Sequence, residues 1–368
     1  MKTIHICKAT PAEKNQWDTF VDENMGSFFH YYGWNDIFSH KKWESIQLIA
    51  RNETDQILGI FPLYLIKRHC CKLLKSLPEG ASGGMVIKNT LASDEKKQVA
   101  DAFLTYMDKD LDVSYHRIDI SENLTYEEDQ ETPVTHSLRN HGYHQIKTLA
   151  SGLPSTFILP LSAPFEEKIW KEQWNGNLRN NIRKAQRQKV TVIQDTTLTY
   201  ETEFIQMMHQ HYQRMQTPSL SDEELHQRLH VFPNKTRLFV ALHNNKPIAF
   251  LLCYYTPSTV FFSKLPHDFE ARKYQTNALI CYHGIKHACE QGYSYVEFGL
   301  TFNKNQARWK SKFKGKQIPI RHFQKRPSSS HCLYYDVMDH LAWNFRNRKS
   351  LWDEKDKIKK RLINQIKK

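Results

Sequence analysis

Two pairs of strand-like segments, one in each half of the chain, restrict the fold more than any other feature of the sequence. In the first pair, residues 45–50 and 57–66 are rich in apolar residues and lie on either side of a polar turn at 51–55. In the second pair, residues 237–243 and 247–255 flank the turn Asn244-Asn245-Lys246. Apolar, β-branched and aromatic runs joined by such turns are typical of antiparallel hairpins. We therefore expect one hairpin in each half.

The order of elements around the hairpins repeats. Each hairpin follows a helical segment and precedes a further strand, a helix and another strand. This repetition predicts an α/β (α+β) fold of two similar domains in tandem, each a mixed, largely antiparallel sheet flanked by helices. With a boundary near 161–164, the predicted parts are an N-terminal domain (1–162), a C-terminal domain (163–327) and a basic helical extension (328–368).

Composition restricts the class of protein and of partner. The 368 residues are 40% hydrophobic and 12% aromatic, enough for two cores. A net charge of +13 favours an anionic donor, acceptor or surface, such as nucleic acid, phosphorylated substrates or acidic lipid. No signal-peptide core is visible, and no apolar stretch approaches the ~20 residues of a membrane span. Seven cysteines without a Cys-x-x-Cys pair predict reduced thiols and a cytoplasmic location.

Histidine spacing predicts no bound metal. The 19 histidines are scattered, and no His-Glu-x-x-His pattern occurs. His209 and His211 fall on different faces of a predicted helix, so they are expected to be surface or core residues.

The C-terminal extension and one internal stretch are strongly basic. Residues 346–368 carry ten basic and three acidic residues, and their apolar residues fall on one helical face. Such a helix docks on its own domain, lies on an acidic membrane or touches RNA.

Residues 308–326 contain eight Lys or Arg and no Asp or Glu. They follow a predicted strand at 295–299, and residues 317–323 are predicted to form the next strand. This segment is either a ligand-binding turn or a solvated loop with two aromatic residues in the core.

Four stretches together resemble a known family, the Fem-type (FemAB-like) transferases, which carry two GNAT-related domains in tandem. They are SFFHYYGWNDIF (27–38), with Trp34 at the family's Trp position; GIFPL (59–63) followed by SLP (76–78) and Gly83-Gly84; RNNIRKA (179–185); and EFG (297–299) followed by WKSKFKG (309–315). The resemblance spans about 80% of the chain. It implies tandem GNAT-like domains and transfer of an acyl or aminoacyl group from acyl-CoA or aminoacyl-tRNA to an amine. No bound cofactor is implied.

The same resemblance assigns roles to individual residues. Lys310 corresponds to the lysine of the family's aromatic-lysine turn and is the candidate catalytic residue for charge stabilisation at the reacting carbonyl. The candidate substrate-binding residues are Tyr32, Trp34, Arg179, Asn181, Arg183, Lys184, Glu297, Trp309 and Phe313. Arg179, Arg183 and Lys184 would contact phosphate. Alternatively, Asn181 ties a helix to a loop, Arg183 is solvated and Glu297 is a surface acid at a strand end.

Two positions depart from the family patterns. Phe38 stands where peptidoglycan-bridge members carry a lysine, which argues against a nucleotide-sugar substrate. Residues 272–278, RKYQTNA, carry side chains where acetyl-CoA-binding members have glycines.

The leading hypothesis is a cytoplasmic acyl- or aminoacyltransferase that forms an amide, with cell-wall or surface-polymer biosynthesis as one setting. The alternatives are a binding module for RNA or acidic membrane, and an assembly partner without a ligand.

Overall fold

The computed structural model describes residues 3–41, 43–68, 71–77, 83–122, 131–146, 155–301 and 303–326. The predicted extension 328–368, with its proposed membrane or RNA contact, lies outside these residues. Within them no helix is both long enough and apolar enough to cross a bilayer.

The strands fall into two mixed sheets. In chain order they are β1 His5–Lys8, β2 Glu44–Arg51, β3 Ile57–Arg68, β4 Cys71–Lys75, β5 Val86–Ile87, β6 Arg117–Ser121, β7 His144–Gln145, β8 Ser155–Pro160, β9 Thr191–Asp195, β10 Thr236–His243, β11 Lys246–Tyr255, β12 Thr259–Lys264, β13 Tyr295–Glu297, β14 Lys316–Pro319 and β15 His322–Lys325.

Helices cover the sheets. They are α1 Lys14–Glu23, α2 Ser93–Lys109, α3 Pro133–Asn140, α4 Gly176–Arg187, α5 Glu201–Met215, α6 Asp222–His230, α7 Thr276–Glu290 and α8 Lys304–Lys310. A π-helix spans Glu166–Gln173, and short 3₁₀ segments span Pro11–Glu13, Phe28–His30, Tyr32–Lys41, Pro233–Lys235, Glu270–Tyr274 and Ser311–Phe313.

Both predicted hairpins form. β2 pairs antiparallel with β3, and β10 pairs antiparallel with β11. The second turn uses Asn244 and Asn245 at φ of 51° and 60°, a left-handed conformation that asparagine tolerates better than most residues. The predicted fold of two mixed sheets flanked by helices is confirmed.

The two sheets have the same internal order. The first runs β1-β2-β3-β4-β6-β15-β7, with β5 on β3, and the second runs β9-β10-β11-β12-β13-β8-β14. In each sheet the fourth and fifth strands are parallel, β4 with β6 and β12 with β13, and a helix crosses over between them. The other pairs are antiparallel.

The sheets exchange their sixth strands, so the predicted division at residue 162 does not separate them. β8 was assigned to the first half, but it lies between β13 and β14 of the second sheet. β15 was assigned to the second half, but it lies between β6 and β7 of the first. The single strand predicted over 317–323 is therefore wrong. It is two strands, separated by Ile320 and Arg321, that belong to different sheets.

Three clusters of buried side chains form the core. One packs α4 and α7 on the second sheet, and another packs α2 and α3 on the first. The third lies between the halves, where Phe28 stacks on Tyr254 with ring centroids 4.2 Å apart. The two halves are thus joined both by exchanged strands and by a shared apolar core.

Candidate functional site

The pairing of the two parallel strands in the second sheet stops before β12 ends. β12 and β13 pair in register from Thr259↔Tyr295 to Phe261↔Glu297 and are not paired beyond that point. The crossover helix α7 begins near this end, and ligands of such sheets bind beyond the carboxyl ends of parallel strands. The end of β13 and the start of α7 are therefore where a substrate is expected.

A pocket of about 410 Å³ lies at the N-terminus of α7. It is lined by Arg272, Lys273, Gln275, Thr276, Asn277, Ala278 and Trp309. The first backbone N–H groups of a 15-residue helix carry partial positive charge, and two basic side chains add full charges beside them. This pocket is suited to a phosphate or another anion.

The turn before α7 forms without the expected glycines. Gln275 takes the left-handed conformation, with φ of 60°, that a glycine would take more easily. The Thr276 hydroxyl donates to Ala271 O at 3.3 Å, and Thr276 is buried. The Asn277 carbonyl oxygen Oδ1 is buried beside the pocket without a hydrogen-bond partner among the described residues.

The corresponding helix of the first half has the opposite charge. Asp94 and Glu95 occupy the first turn of α2, and the Glu95 carboxylate accepts from the backbone N–H of Ala92 at 3.0 Å. A carboxylate thus occupies one of the N–H groups that would bind an anion. Of the two related helix starts, the one in the second half is the basic one.

Lys310, the candidate catalytic residue, lies buried behind the end of β13. Its ammonium donates to Gly299 O and Leu300 O, both at 2.8 Å, and to Thr301 Oγ1 at 3.0 Å. An ammonium has three protons, so these acceptors use all of them. Lys310 therefore fixes the segment 299–301, which follows the paired end of β13. The sequence predicted a cationic turn here, but the segment is α8 followed by a 3₁₀ turn.

Glu297 is a buried acid, not the surface acid of the alternative reading. It is 8% exposed, and Thr156 Oγ1 lies 3.1 Å from both Glu297 Oε1 and Gly299 O. Burial raises the pKa of Glu297 to about 7, against the opposing effects of Thr156 and Lys310. Burial likewise lowers the pKa of Lys310 to about 8, while Glu297 opposes that shift. Side chains whose pKa values lie near neutral pH, as those of Glu297 and Lys310 do, are suited to proton transfer.

The two aromatic residues flanking Lys310 have different environments. Trp309 is half-buried and lines the pocket, whereas Phe313 is fully buried in the core. Their rings meet edge to face at 5.2 Å, and Trp174 Nε1 donates to Phe313 O at 3.1 Å. Trp309 can reach a ligand, while Phe313 anchors the segment to the core.

The predicted phosphate contacts on α4 do not line the pocket. Arg179 donates to Trp170 O and Lys171 O, where it caps the end of the π-helix. The Arg183 guanidinium lies 5.6 Å from the ring centre of Trp170, and Lys184 is exposed. Asn181 is half-buried on the same helix. None of these four residues is among those that line the pocket.

The aromatic segment of the first half packs between the halves. Trp34 is 2% exposed, and the guanidinium of Arg228 lies 5.2 Å from its ring centre. Tyr32 is half-buried; its ring contacts Trp17, and its backbone N–H donates to Asp18 at 2.7 Å. Phe38, where a lysine would be needed, is buried as well. Trp34 and Phe38 are thus core residues of the contact between the halves.

Sequence reasoning missed several residues of the site. Arg272 and Lys273 were considered only as a departure from a glycine pattern, although two basic residues before a helix are a visible signal. Thr156 had no signal, since it comes from the exchanged strand β8. Outside this site, His226 and His230 were also missed, although their spacing of four residues on a predicted helix was visible.

The part of the chain that carries this site matches a GNAT acyltransferase domain. Residues 175–311 match the family model described as acetyltransferase (GNAT) domain, and this segment contains β9–β13, α7 and Lys310. The expectation of a GNAT-type acyl- or aminoacyltransferase is thereby confirmed.

Solved structures share the fold over most of the chain. FemX is 13% identical with a TM-score of 0.70, covering 88% of this chain and 97% of its own. L-PGS from Bacillus licheniformis is 15% identical with a TM-score of 0.54, covering 93% and 98%. A tandem GNAT protein from the clavulanic acid biosynthesis pathway is 10% identical with a TM-score of 0.52, covering 89% and 100%. No curated protein matches the sequence. The predicted likeness to Fem-type transferases is confirmed for the fold.

Proposed function

We propose that the protein transfers an acyl or aminoacyl group from a phosphate-bearing donor to an amine, forming an amide. The observation that carries the proposal is the basic pocket at the start of α7. Trp309, which lines this pocket, directly precedes Lys310, one of the two buried residues Glu297 and Lys310 whose pKa values are shifted toward neutrality. The pocket would hold the donor's phosphates, and Trp309 would contact the donor where the pocket meets α8.

In the proposed reaction, the amine attacks the carbonyl carbon of the donor. The Glu297 carboxylate accepts the amine proton, since its pKa of about 7 leaves about half of it ionised at neutral pH. The bond between the carbonyl carbon and the leaving group then breaks, and the leaving group takes up the proton that the Glu297 carboxyl had accepted, which restores the carboxylate. Because the three protons of Lys310 are already engaged, its contribution is proposed to be electrostatic: a buried positive charge beside the developing oxyanion.

The donor is proposed to be acyl-CoA first, because GNAT acetyltransferases use this co-substrate and the basic pocket lies at the crossover helix. Aminoacyl-tRNA is the second candidate, favoured by the +13 charge. The acceptor is proposed to be an amine on a cell-wall or surface-polymer precursor, on the basis of the likeness to Fem-type transferases. A cytoplasmic setting is proposed from the free thiols Cys7, Cys253, Cys281 and Cys289.

A thermal-shift panel tests this proposal. Acyl-CoA, charged tRNA and uncharged tRNA are added to the wild type and to the double variant Arg272→Ala/Lys273→Ala. A donor at 100 times its Kd stabilises the protein by about 2.7 kcal/mol, so the melting temperature of the wild type should rise with the true donor. At the same donor concentration the variant, which binds more weakly, should show a clearly smaller rise. An equal rise in both proteins would refute the pocket, and no rise with any donor would refute the function.

A further inference from the structure

A second group of ligand-type side chains lies away from this pocket, where α5 meets α6. Glu201 is the first residue of α5, and His226 and His230 lie four residues apart on α6. Glu201 Oε1 is 2.6 Å from His226 Nδ1, and Glu201 Oε2 is 2.9 Å from His230 Nε2. One carboxylate therefore bridges two imidazoles that come from another helix.

The three side chains converge on one point. One nitrogen of each histidine and an oxygen of Glu201 all lie within 4.8 Å of one another. The two imidazole rings lie on the same side of α6, with centroids 4.2 Å apart, as a spacing of four residues on a helix requires. His226 and His230 are 52% and 41% exposed, so an ion and a water molecule have access.

We propose that Glu201, His226 and His230 form a binding site for a divalent transition-metal ion, with Zn²⁺ as the preferred ion. In tetrahedral zinc sites the ligand bonds are about 2.0–2.2 Å long, which sets neighbouring ligand atoms about 3.3 Å apart. The contacts at 2.6 and 2.9 Å need to open by less than about 1 Å to admit the ion. Two imidazoles and one carboxylate fill three positions, and water fills the fourth.

The ligand chemistry selects the class of metal. Imidazole nitrogen binds Zn²⁺, Cu²⁺, Ni²⁺ and Co²⁺, whereas Mg²⁺ and Ca²⁺ require oxygen ligands. A site with two nitrogens and one carboxylate should therefore discriminate against Mg²⁺ and Ca²⁺.

The site would brace the contact between the halves. α6 carries the metal ligands on its outer face, and on its inner face Glu224 and Arg228 form a buried ion pair at 2.6 Å. Glu224 also pairs with Lys41 of the first half at 2.8 Å. A metal that fixes α6 to α5 would hold this face of α6 against the first half. The role is structural and independent of the acyl-transfer site.

Calorimetric titration of the chelator-treated full-length protein with Zn²⁺ alone tests the proposal. We expect one saturable Zn²⁺ per chain, and tetrahedral Co²⁺ absorption when Co²⁺ replaces it. Glu201→Gln, His226→Ala and His230→Ala should each lower the affinity by about 100-fold or more, since even residues behind the ligands are worth 10–100-fold. His230→Cys, which supplies a thiolate ligand, should recover Zn²⁺ binding.

His209→Ala is the matched control. His209 also joins α5 to α6, through Asp222 at 2.6 Å, but among the residues that the structure describes no third ligand group lies with them. Its substitution should leave the Zn²⁺ affinity unchanged. Circular dichroism spectra serve to check that each variant is folded. Absence of saturable Zn²⁺ binding, undiminished binding by a His226→Ala/His230→Ala variant, or equal competition by Mg²⁺ would overturn the proposal and leave Glu201 as a hydrogen-bonding bridge only.

Discussion

Replacing Glu297 by Gln should make the protein more stable and much less active. The substitution keeps the size of the side chain and a hydrogen-bonding group beside Thr156 but removes the ionisable carboxyl. Burial raises the pKa of Glu297 from 4.5 to about 7, so the folded protein resists its ionisation. Below pH 4.5 the carboxyl is protonated in both the folded and the unfolded states, and it makes no pH-dependent difference there.

The size of the effect follows from the shift. Between pH 4.5 and 7 the unfolded chain releases the Glu297 proton while the folded chain keeps it, so the free energy of unfolding of the wild type falls as the pH rises. At 1.36 kcal/mol per pKa unit the loss is about 3 kcal/mol by pH 7, and it stays constant above that. Glu297→Gln lacks this loss. Its advantage over the wild type should grow across this window to about 3 kcal/mol.

Activity should move the other way. Loss of a general base lowers turnover by about 10²–10⁴-fold. In the wild type, kcat/KM should rise about tenfold per pH unit up to the pKa of about 7 and then level off, as the carboxylate forms. Deprotonation of Lys310, with its pKa of about 8, should lower the rate again at higher pH.

Urea unfolding at several pH values, together with transfer assays using the donor found by thermal shift, measures both effects. Glu290→Gln is the control, because Glu290 is an exposed acid at the end of α7 and its loss should change neither quantity. If Glu297→Gln lost stability and activity together, Glu297 would be a structural acid. If its turnover were undiminished, the proposed proton transfer would be refuted.

Three further perturbations test other parts of the molecule. Arg272→Ala/Lys273→Ala should raise the KM for the donor about tenfold or more and leave kcat unchanged, because a hydrogen bond to a charged group is worth about 1.5–3 kcal/mol. Steady-state assays measure both constants, and a lower kcat at unchanged KM would contradict a binding role. Trp34→Ala should cost about 3–5 kcal/mol in urea unfolding, because Trp34 is a core residue between the halves; a near-neutral stability with a lost ligand response would instead favour the predicted ligand contact. Arg228→Met should cost about 3 kcal/mol at neutral pH by removing one partner of buried Glu224, and the double variant with Glu224→Gln should recover part of that loss in the same unfolding assay.

The elements themselves could be predicted from local patterns, but the partners of the strands could not. The hairpins required only apolar periodicity and turn residues such as Asn244 and Asn245. Residues 317–323 alternate like one strand, and nothing in that pattern shows that the chain leaves one sheet and enters the other at Ile320. The partner of β15 lies about 200 residues earlier in β6, and such distant pairing has no local signal.

The site was predicted unevenly for a related reason. Lys310 was singled out by resemblance, but a lysine among eight basic residues gives no sign of burial, and two of its three acceptors are backbone carbonyls. The raised pKa of Glu297 depends on desolvation by packed neighbours, which only the fold provides. Trp34 lies in an aromatic cluster of the sequence, and such a cluster is equally typical of core residues and of residues that contact a ligand.

The strand exchange has a consequence for how the protein is made. The Ser121 side chain, at the end of β6, forms a hydrogen bond with His322 of β15, a residue that is translated 201 residues later. At about 5–20 residues per second the ribosome needs roughly 10–40 s to supply that strand. During this interval the first half is translated but lacks the strand between β6 and β7, and unpaired strand edges invite association with other chains. The nascent first half should therefore depend on chaperones, and slower translation between β6 and β15 should increase aggregation.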